Sequence, residues 1–234
     1  MTETARTPGV HLRPLRPEEA RASAELHREV LHMEFLSRCG RSFLECYHRA
    51  WIASPAGVAV AALDGEGALV GVLLGAIDPA AHFVHVFRRH GPALAARLLL
   101  YALTHPALAR ELVVTRGRRY AGGALRLLRA RRAGTPPARR AGTPPAGPGA
   151  GSAAQVGEVT HLMVSEVARG SGTGRALLAE TERIARRAGL DELVLVTPPD
   201  LAARRFYEHL GWEADGSLHS RSGEAFVRYR RPLR

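Results

Sequence analysis

The chain has 234 residues, of which 46% are hydrophobic, so it can form one full domain or two small ones and is not disordered throughout. Its formal net charge of +11 suggests a nucleic-acid partner, but no nucleic-acid motif with interleaved aromatic residues is present and we expect no such partner. The sequence has no uninterrupted apolar run of about 18 residues and no apolar leader, so we expect a cytoplasmic location.

The first third of the chain predicts strands and helices that alternate. In chain order the predicted elements are a strand (10–15), two helices (18–37 and 42–53) and a β-hairpin (57–63 and 68–77). Cys39 and Cys46 are predicted to be buried thiols, because no arrangement with metal-ligand spacing surrounds them.

Residues 82–130 have a helical pattern that is apolar on one side and arginine-rich on the other, with breaks at Gly91-Pro92 and His105-Pro106. We expect one set of apolar residues to pack on the body: Leu94, Leu98, Leu99, Leu108, Leu112 and Val113. The nearby His82, His85 and His90 lack a neighbouring carboxylate, and no metal is expected there.

The basic excess lies in one segment, since residues 112–157 contain nine arginines and no acid. Within it the octapeptide Ala-Arg-Arg-Ala-Gly-Thr-Pro-Pro occurs twice in tandem over residues 130–145, and residues 131–154 are predicted to be a disordered linker. The arginines are either a solvated linker or a patch for an anionic substrate, a membrane surface or nucleic acid.

The last third predicts a compact α/β unit. Its elements are a strand (156–164), a glycine-rich turn (169–174), a helix (172–188), a buried parallel strand (190–196), a helix (200–210) and an antiparallel pair (212–218 and 225–230). Asp200 is a candidate N-cap of the second helix, and Gly211 is its predicted end.

The turn Arg-Gly-Ser-Gly-Thr-Gly at residues 169–174 is a candidate anion site. Glycines allow backbone N–H groups to approach and encircle an anion, and the following helix adds about half a positive charge at its N-terminus. Such a turn fits a pyrophosphate, but it has neither the dinucleotide spacing nor the lysine of a Walker motif.

Two segments together resemble the GNAT superfamily of acetyl-CoA-dependent N-acetyltransferases. The first is Leu162-Met163-Val164 followed by Arg169-x-x-Gly172-x-Gly174, and the second runs from Asp200 through Ala203 and Phe206-Tyr207 to Gly211-Trp212. The clear match covers residues 156–231, with looser agreement over 10–78, and residues 79–155 match no core element of the family.

The resemblance implies a role for each matching residue. The backbone of Leu162, Met163 and Val164 would bind the pantetheine arm and the acetyl carbonyl, and Tyr207 would protonate the departing thiolate. The remaining residues that the resemblance places at the coenzyme are Arg169, Gly170, Ser171, Gly172, Thr173, Gly174, Asp200 and Ala203. Asp200 departs from the family pattern, which has asparagine there, so it keeps an acceptor but loses the amide donor.

Free alkyl amines have a pKa of about 10 and are therefore protonated at neutral pH. An amine must lose this proton before it attacks a thioester. Glu158 matches a position used as the base in some family members, and His161 is the alternative. In a regular strand the two side chains would lie on opposite faces, because they are three residues apart.

The resemblance implies one α/β domain over residues 1–234, with core segments 10–78 and 156–231. Its sheet would be mixed, mostly antiparallel and seven-stranded, with helices on both faces, central strands that splay apart, and a helical insertion (82–130) between the third and fourth strands. The implied activity is direct acetyl transfer from acetyl-CoA to a primary amine, without a metal, in a monomer or homodimer.

An amino sugar or natural-product amine, which may carry an anionic group bound by the insertion's arginines, is the favoured acceptor. Three alternatives stay open: a protein or peptide acceptor, another acyl donor, and a non-catalytic acyl-CoA-binding module. The insertion could also rest its basic surface on a membrane.

Overall fold

The computed structural model describes residues 9–32, 34–111, 155–199, 202–219 and 224–234. The strands in these ranges are β1 (His11–Pro14), β2 (Gly57–Leu63), β3 (Leu69–Ala76), β4 (Val156–Val164), β5 (Glu192–Thr197), β6 (Glu213–His219) and β7 (Ala225–Pro232). The α-helices in the same ranges are α1 (Ala20–Val30), α2 (Arg41–Ala53), α3 (Pro79–Arg89), α4 (Gly91–Thr104), α5 (Pro106–Glu111), α6 (Thr173–Arg187) and α7 (Ala203–His209).

The strands form one sheet in the order β1-β2-β3-β4-β5-β7-β6. Neighbouring strands pair antiparallel except β4 and β5, which pair in parallel. A parallel pair needs a crossover connection, and α6 supplies it. The mixed, mostly antiparallel seven-stranded sheet predicted from the sequence is therefore confirmed.

Helices cover both faces of this sheet, as predicted. On one face α6 packs across β2, β3 and β4 and buries Leu177 and Leu178. On the other face α1 and α2 form a second core, in which Trp51 packs near Leu74 and Met163. Because β3 is covered on both faces, almost all of its residues are buried, which explains its nearly continuous apolar sequence.

Helices α3 and α4 form an outer layer on α2 and lie between β3 and β4 in chain order. Leu94 and Leu98 pack against the core of α1 and α2, as expected. The same expectation is wrong for Leu99, which is 64% exposed. Gly40 permits the close approach of α4, since its φ is +87° and a Cβ there would lie 2.7 Å from the Tyr101 ring.

The helix predicted over residues 18–37 is divided into separate elements. α1 ends at Val30, and a 3-10 helix (Leu36–Cys39) follows after a bend. The Ser37 hydroxyl donates a hydrogen bond to the Leu31 carbonyl at 2.6 Å and holds this bend. Glu34 lies within the bend, facing His27 of α1.

Other predictions have mixed outcomes. Cys39 and Cys46 are buried and free, as expected. α7 begins at Ala203 with Ala202 at the N-cap position, so Asp200 is not its N-cap. Asp200 itself and the predicted linker 131–154 lie outside the described residues, as do Leu112, Val113 and the side chain of Leu108. No helix in the described part of the chain has the length and apolarity that crossing a bilayer requires.

Candidate functional site

The parallel strands β4 and β5 separate toward their carboxyl ends. Their pairing runs from Val156 opposite Glu192 to Val159 opposite Leu195 and then stops. Beyond that point β4 continues along β3, while β5 continues along β7. Backbone N–H and C=O groups of β4 that point away from β3 therefore border an opening in the middle of the sheet.

A β-bulge in β4 changes which side chains share a face. Leu74 of β3 lies opposite His161, whereas Gly75 lies opposite Val159, so Thr160 is the extra residue. Glu158 lies opposite Ala76, which is on the same face as Leu74. Glu158 and His161 thus both point toward α1 and α2, and the expectation that they face opposite sides is wrong.

The end of β4 brings the predicted pantetheine contacts to the rim of the opening. Leu162, Met163 and Val164 pair with β3 on one side and, in the part of the chain that the structure describes, have no strand partner on the other. The side chains of Leu162 and Val164 face the α6 core, while Met163 is fully buried in the core on the opposite face. These three residues can therefore offer backbone groups, not side chains, to a ligand in the opening.

The glycine-rich turn has a backbone conformation that non-glycine residues seldom adopt. Gly170 has φ +75° and Gly172 has φ +87°, and Gly172 is the N-cap of α6. The Ser171 hydroxyl donates to the Ala168 carbonyl at 2.7 Å and lies 2.7 Å from the Thr173 hydroxyl. Arg169 is exposed and Thr173 is buried, so Thr173 anchors the turn through its side chain.

Gly174 marks the place where the turn, β4 and α7 meet. A Cβ on Gly174 would lie 3.2 Å from Cζ of Phe206 and 3.7 Å from Cγ2 of Val164. The two sequence segments that carry the resemblance are therefore in contact, although 25 residues (175–199) lie between them in the chain. The positive end of α6 opens beside this junction, where it can attract an anion.

Tyr207 lies in the core on the α6 face, 8% exposed. Its ring contacts Phe206, Trp212 and Tyr229. Burial raises the pKa of Tyr207 to about 12, so the phenol keeps its proton throughout the neutral range. A neutral buried hydroxyl of this kind can donate a hydrogen bond or a proton, but it cannot serve as a base.

The start of α7 is tied to the loop that follows β5. Arg204 donates to the Pro199 carbonyl at 2.8 Å and to the Tyr229 hydroxyl at 3.2 Å. Tyr229 in turn donates to Glu208 at 2.5 Å. Ala203 is half-buried against the α6 core. These contacts join α7 to the loop after β5 and to β7.

The opposite face contains a chain of buried polar side chains that the sequence did not predict. Ser23 Oγ lies 2.7 Å from His48 Nδ1, and His48 Nε2 lies 3.0 Å from His27 Nδ1. Tyr47 Oη lies 3.0 Å from His161 Nε2, although 114 residues separate the two. The only signal was the helical spacing of residues 23, 27, 47 and 48, which is equally typical of ordinary core positions.

Glu34 completes this polar chain. Its carboxylate Oε2 lies 3.6 Å from His27 Nε2 and 3.5 Å from His161 Nδ1. Burial lowers the pKa of His48 and that of His161 to about 3, so both imidazoles are neutral at neutral pH. Burial acts to raise the pKa of Glu34, but its contacts with His27 and His161 outweigh burial and lower it.

The histidines singled out in the sequence occupy other places. His82 stacks on Trp51, with the ring centroids 3.7 Å apart, and His85 lies beside His90. Within the described ranges, the side chains close enough to share a metal ion are those of His27, Glu34 and His161, whose donor atoms all lie within 4.8 Å of one another.

Comparison with known proteins identifies the architecture. Residues 119–212 match the family model described as "Acetyltransferase (GNAT) family". No curated protein matches the sequence. The match of residues 119–212 includes both segments that carry the resemblance, from β4 to Trp212.

Several solved structures share the fold. Histone acetyltransferase HPA2 and related acetyltransferase from Corynebacterium glutamicum is 18% identical, with 96% of each chain covered and a TM-score of 0.55. A spermidine N-acetyltransferase SpeG chimera from Vibrio cholerae and hSSAT is 13% identical, covering 96% of this chain and 95% of that one, with a TM-score of 0.56. Ard1 from Thermoplasma volcanium is 13% identical, covering 95% and 97%, with a TM-score of 0.53. At these identities the likeness shows the fold alone.

Proposed function

We propose that this chain, which carries an acetyltransferase domain of the GNAT family and is therefore an acyltransferase, moves an acetyl group from acetyl-CoA directly to a primary amine. One observation carries the proposal: the glycine-rich turn, the opening between β4 and β5, and Tyr207 border one region of the molecule. An anion site, a strand opening and a protonated phenol are the parts that a thioester substrate requires.

The coenzyme would lie across the opening from the turn to the bulge. N–H groups of residues 169–174 and the N-terminus of α6 suit the pyrophosphate. The free backbone edge at Leu162, Met163 and Val164 suits the amide groups of pantetheine, as a third strand would. Ala203, at the start of α7, would contact the pantetheine, and Asp200 is proposed to do so too.

Acetyl transfer begins with the loss of a proton from the amine. We assign Glu158 as the base, acting directly or through water, because it lies on β4 just before the strands separate. The neutral nitrogen then attacks the thioester carbonyl. As the bond from carbon to sulfur breaks, the nitrogen loses its second proton, which passes through water and restores the proton that Tyr207 gives up. Tyr207 donates its proton to the departing thiolate, and its pKa of about 12 keeps it protonated until that step.

The acceptor is proposed to be a small molecule, with an amino sugar or natural-product amine favoured. Structural neighbours include proteins named for spermidine and for histone acetylation, so the fold leaves both small molecules and proteins as acceptors. Arginines at 116–129 favour an amine that also carries a negative charge, since guanidinium groups bind phosphate and carboxylate well. These arginines lie outside the described residues.

A thiol-release assay with acetyl-CoA against an amine library tests the proposed reaction. We expect turnover with at least one primary amine and a product that carries one acetyl group by mass spectrometry. Tight acetyl-CoA binding without turnover on any small amine, peptide or protein would instead support a non-catalytic acyl-CoA-binding module. Turnover that requires a longer acyl-CoA would revise the donor.

The acceptor class has its own test in the double variant Arg118→Glu, Arg119→Glu. We expect a higher KM for the acceptor, an unchanged KM for acetyl-CoA, and a larger effect at low salt, because charge interactions are then less screened. If the acceptor KM stays constant and binding to anionic vesicles disappears, the arginines serve a membrane contact.

A cytoplasmic location is also proposed, because the proposed reaction needs a supply of acetyl-CoA.

A further inference from the structure

Two buried imidazole nitrogens face the same carboxylate oxygen without a hydrogen bond. Among the described residues, neither His27 Nε2 nor His161 Nδ1 has a hydrogen-bond partner, and both rings are nearly inaccessible to solvent. Both nitrogens instead point at Glu34 Oε2, at 3.6 and 3.5 Å. Buried polar atoms seldom stay unpaired, so this convergence of three donor atoms needs an explanation.

We propose that His27, Glu34 and His161 form a binding site for one Zn²⁺-class divalent ion. Imidazole nitrogen and carboxylate oxygen are common zinc ligands, at about 2.0–2.2 Å from the ion. Two such ligands on a tetrahedral ion are about 3.4 Å apart, close to the 3.5 and 3.6 Å observed between the nitrogens and Glu34 Oε2.

The other nitrogen of each ring has the partner that a metal ligand needs. If His27 Nδ1 donates to His48 Nε2 and His48 Nδ1 donates to Ser23, then His27 Nε2 presents a lone pair. If His161 Nε2 donates to the Tyr47 hydroxyl, then His161 Nδ1 also presents a lone pair. Metal-bound histidines nearly always donate their second ring N–H in this way, which fixes the tautomer and the ring orientation.

The site is also accessible and leaves room for a fourth ligand. The Glu34 side chain is 41% exposed, whereas the two imidazoles are buried, so an ion can enter from the Glu34 side. Three protein ligands leave one tetrahedral position for water or another donor. The ion would join the bend after α1 to β4, the strand that also carries Glu158.

Zinc binding can be measured without any acetyltransferase activity, so the proposal stands or fails independently of the proposed reaction. The untagged full-length protein is stripped with a chelator and titrated with Zn²⁺ against a chromophoric competitor. Co²⁺ is titrated in parallel and followed by its visible d–d absorption. We expect one tightly bound ion per chain and a Co²⁺ spectrum typical of nitrogen and oxygen ligands in tetrahedral geometry.

Three variants separate a metal site from a packed polar cluster. Glu34→Gln keeps the size of a half-exposed side chain, and we expect it to weaken Zn²⁺ binding by more than about 100-fold. Tyr47→Phe removes only the group that orients His161, and we expect a loss of about 10–100-fold. The matched control is His82→Gln, which alters a buried histidine stacked on Trp51 and outside the site, and should keep wild-type affinity.

Thermal melting in the absence of metal shows whether each variant is folded. The proposal is overturned if the folded wild-type protein binds no ion more tightly than folded Glu34→Gln. It is also overturned if His82→Gln lowers the affinity as much as Glu34→Gln does. In either case His27, Glu34 and His161 form a packed polar cluster that positions β4.

Discussion

On the face of the sheet that carries α6 and α7, the candidate coenzyme site is made of backbone groups and glycines within residues 162–174, together with one helix that starts at Ala203. On the opposite face, under α1 and α2, the polar cluster is made of side chains from residues 23–48 and from His161. The face that carries α6 and α7, called the coenzyme face below after the coenzyme proposed to bind there, depends on local backbone conformation. The opposite face depends on contacts between distant parts of the chain.

This contrast separates what is common to the fold from what can vary. A pyrophosphate and a pantetheine arm are the same for every acyl-CoA, so one turn and one strand edge can bind them with backbone groups. Side chains on the opposite face can change without disturbing that turn. We therefore expect variants on the coenzyme face to affect binding of any acyl-CoA, and variants on the opposite face to affect proton transfer and the acceptor.

The largest effect is expected for Glu158→Gln, because it removes the proposed base from the α1 and α2 face. General base catalysis typically contributes about 10²–10⁴-fold, so kcat should fall in that range while the Kd of acetyl-CoA stays constant. The deficit should shrink as the pH approaches about 10, since the amine then loses its proton without help. Stopped-flow or thiol-release assays across pH measure kcat, and calorimetry measures the Kd of acetyl-CoA.

Glu192→Gln is the matched control, since Glu192 is also half-buried and lies on the paired segment of β5. It should leave kcat unchanged. A wild-type rate in Glu158→Gln at neutral pH would remove Glu158 as the base and leave His161, a water molecule or a group on another element.

The next largest effect, about 10²-fold on kcat, is expected for Tyr207→Phe on the coenzyme face. Burial raises the pKa of Tyr207 to about 12. Loss of the phenol proton should therefore not reduce the activity of the wild-type protein between pH 6 and about 10. Acetyl-CoA binding by calorimetry should be nearly unchanged, as for an interaction made in the transition state.

Tyr229→Phe serves as the control for Tyr207→Phe. Its ring lies 6.1 Å from that of Tyr207, but its hydroxyl donates to Glu208, so stability should fall and kcat should not. Equal kcat in Tyr207→Phe and the wild type would mean that water protonates the thiolate.

The sequence predicted the arrangement of residues on the coenzyme face more completely than their arrangement on the opposite face. The glycine turn and the Phe206-Tyr207 pair are contiguous segments, and their patterns suffice to place them beside β4. By contrast, the bulge at Thr160 reverses the face of His161 relative to the regular strand that we expected. The bend that directs Glu34 toward His27 interrupts a helical pattern that continues past Val30. Neither feature has a local sequence signal, because each depends on packing between α1, α2 and β4.

A smaller effect separates the glycine turn from ordinary glycines. Gly170 and Gly189 have φ of +75° and +76°, and neither would place a Cβ within 4 Å of another atom. Glutamate at either position should therefore cause similar backbone strain. In Gly170→Glu the new carboxylate also repels the pyrophosphate, and about 1–2 kcal/mol of repulsion raises the Kd of coenzyme A by about 5–30-fold.

Gly189→Glu should retain wild-type coenzyme affinity with a similar loss of stability. Calorimetry with coenzyme A and thermal melting on both variants measure the two effects separately. Equal Kd values in the two variants would mean that the turn does not hold the pyrophosphate, and the assignment of the coenzyme face would fail.

The smallest effect is expected outside both faces, for deletion of residues 138–145, the second copy of the octapeptide. Loop-closure entropy grows only logarithmically with length, so shortening the connection between Glu111 and Gln155 changes stability by about 0.2 kcal/mol and Tm by less than about 1 °C. Because the deletion also removes Arg139 and Arg140, an unchanged acceptor KM would restrict any anion-binding role of this segment to the arginines at 116–132. A drop of several degrees in Tm, absent when only these two arginines are replaced by alanine, would show that the segment packs on one of the faces and that the division into two faces is incomplete.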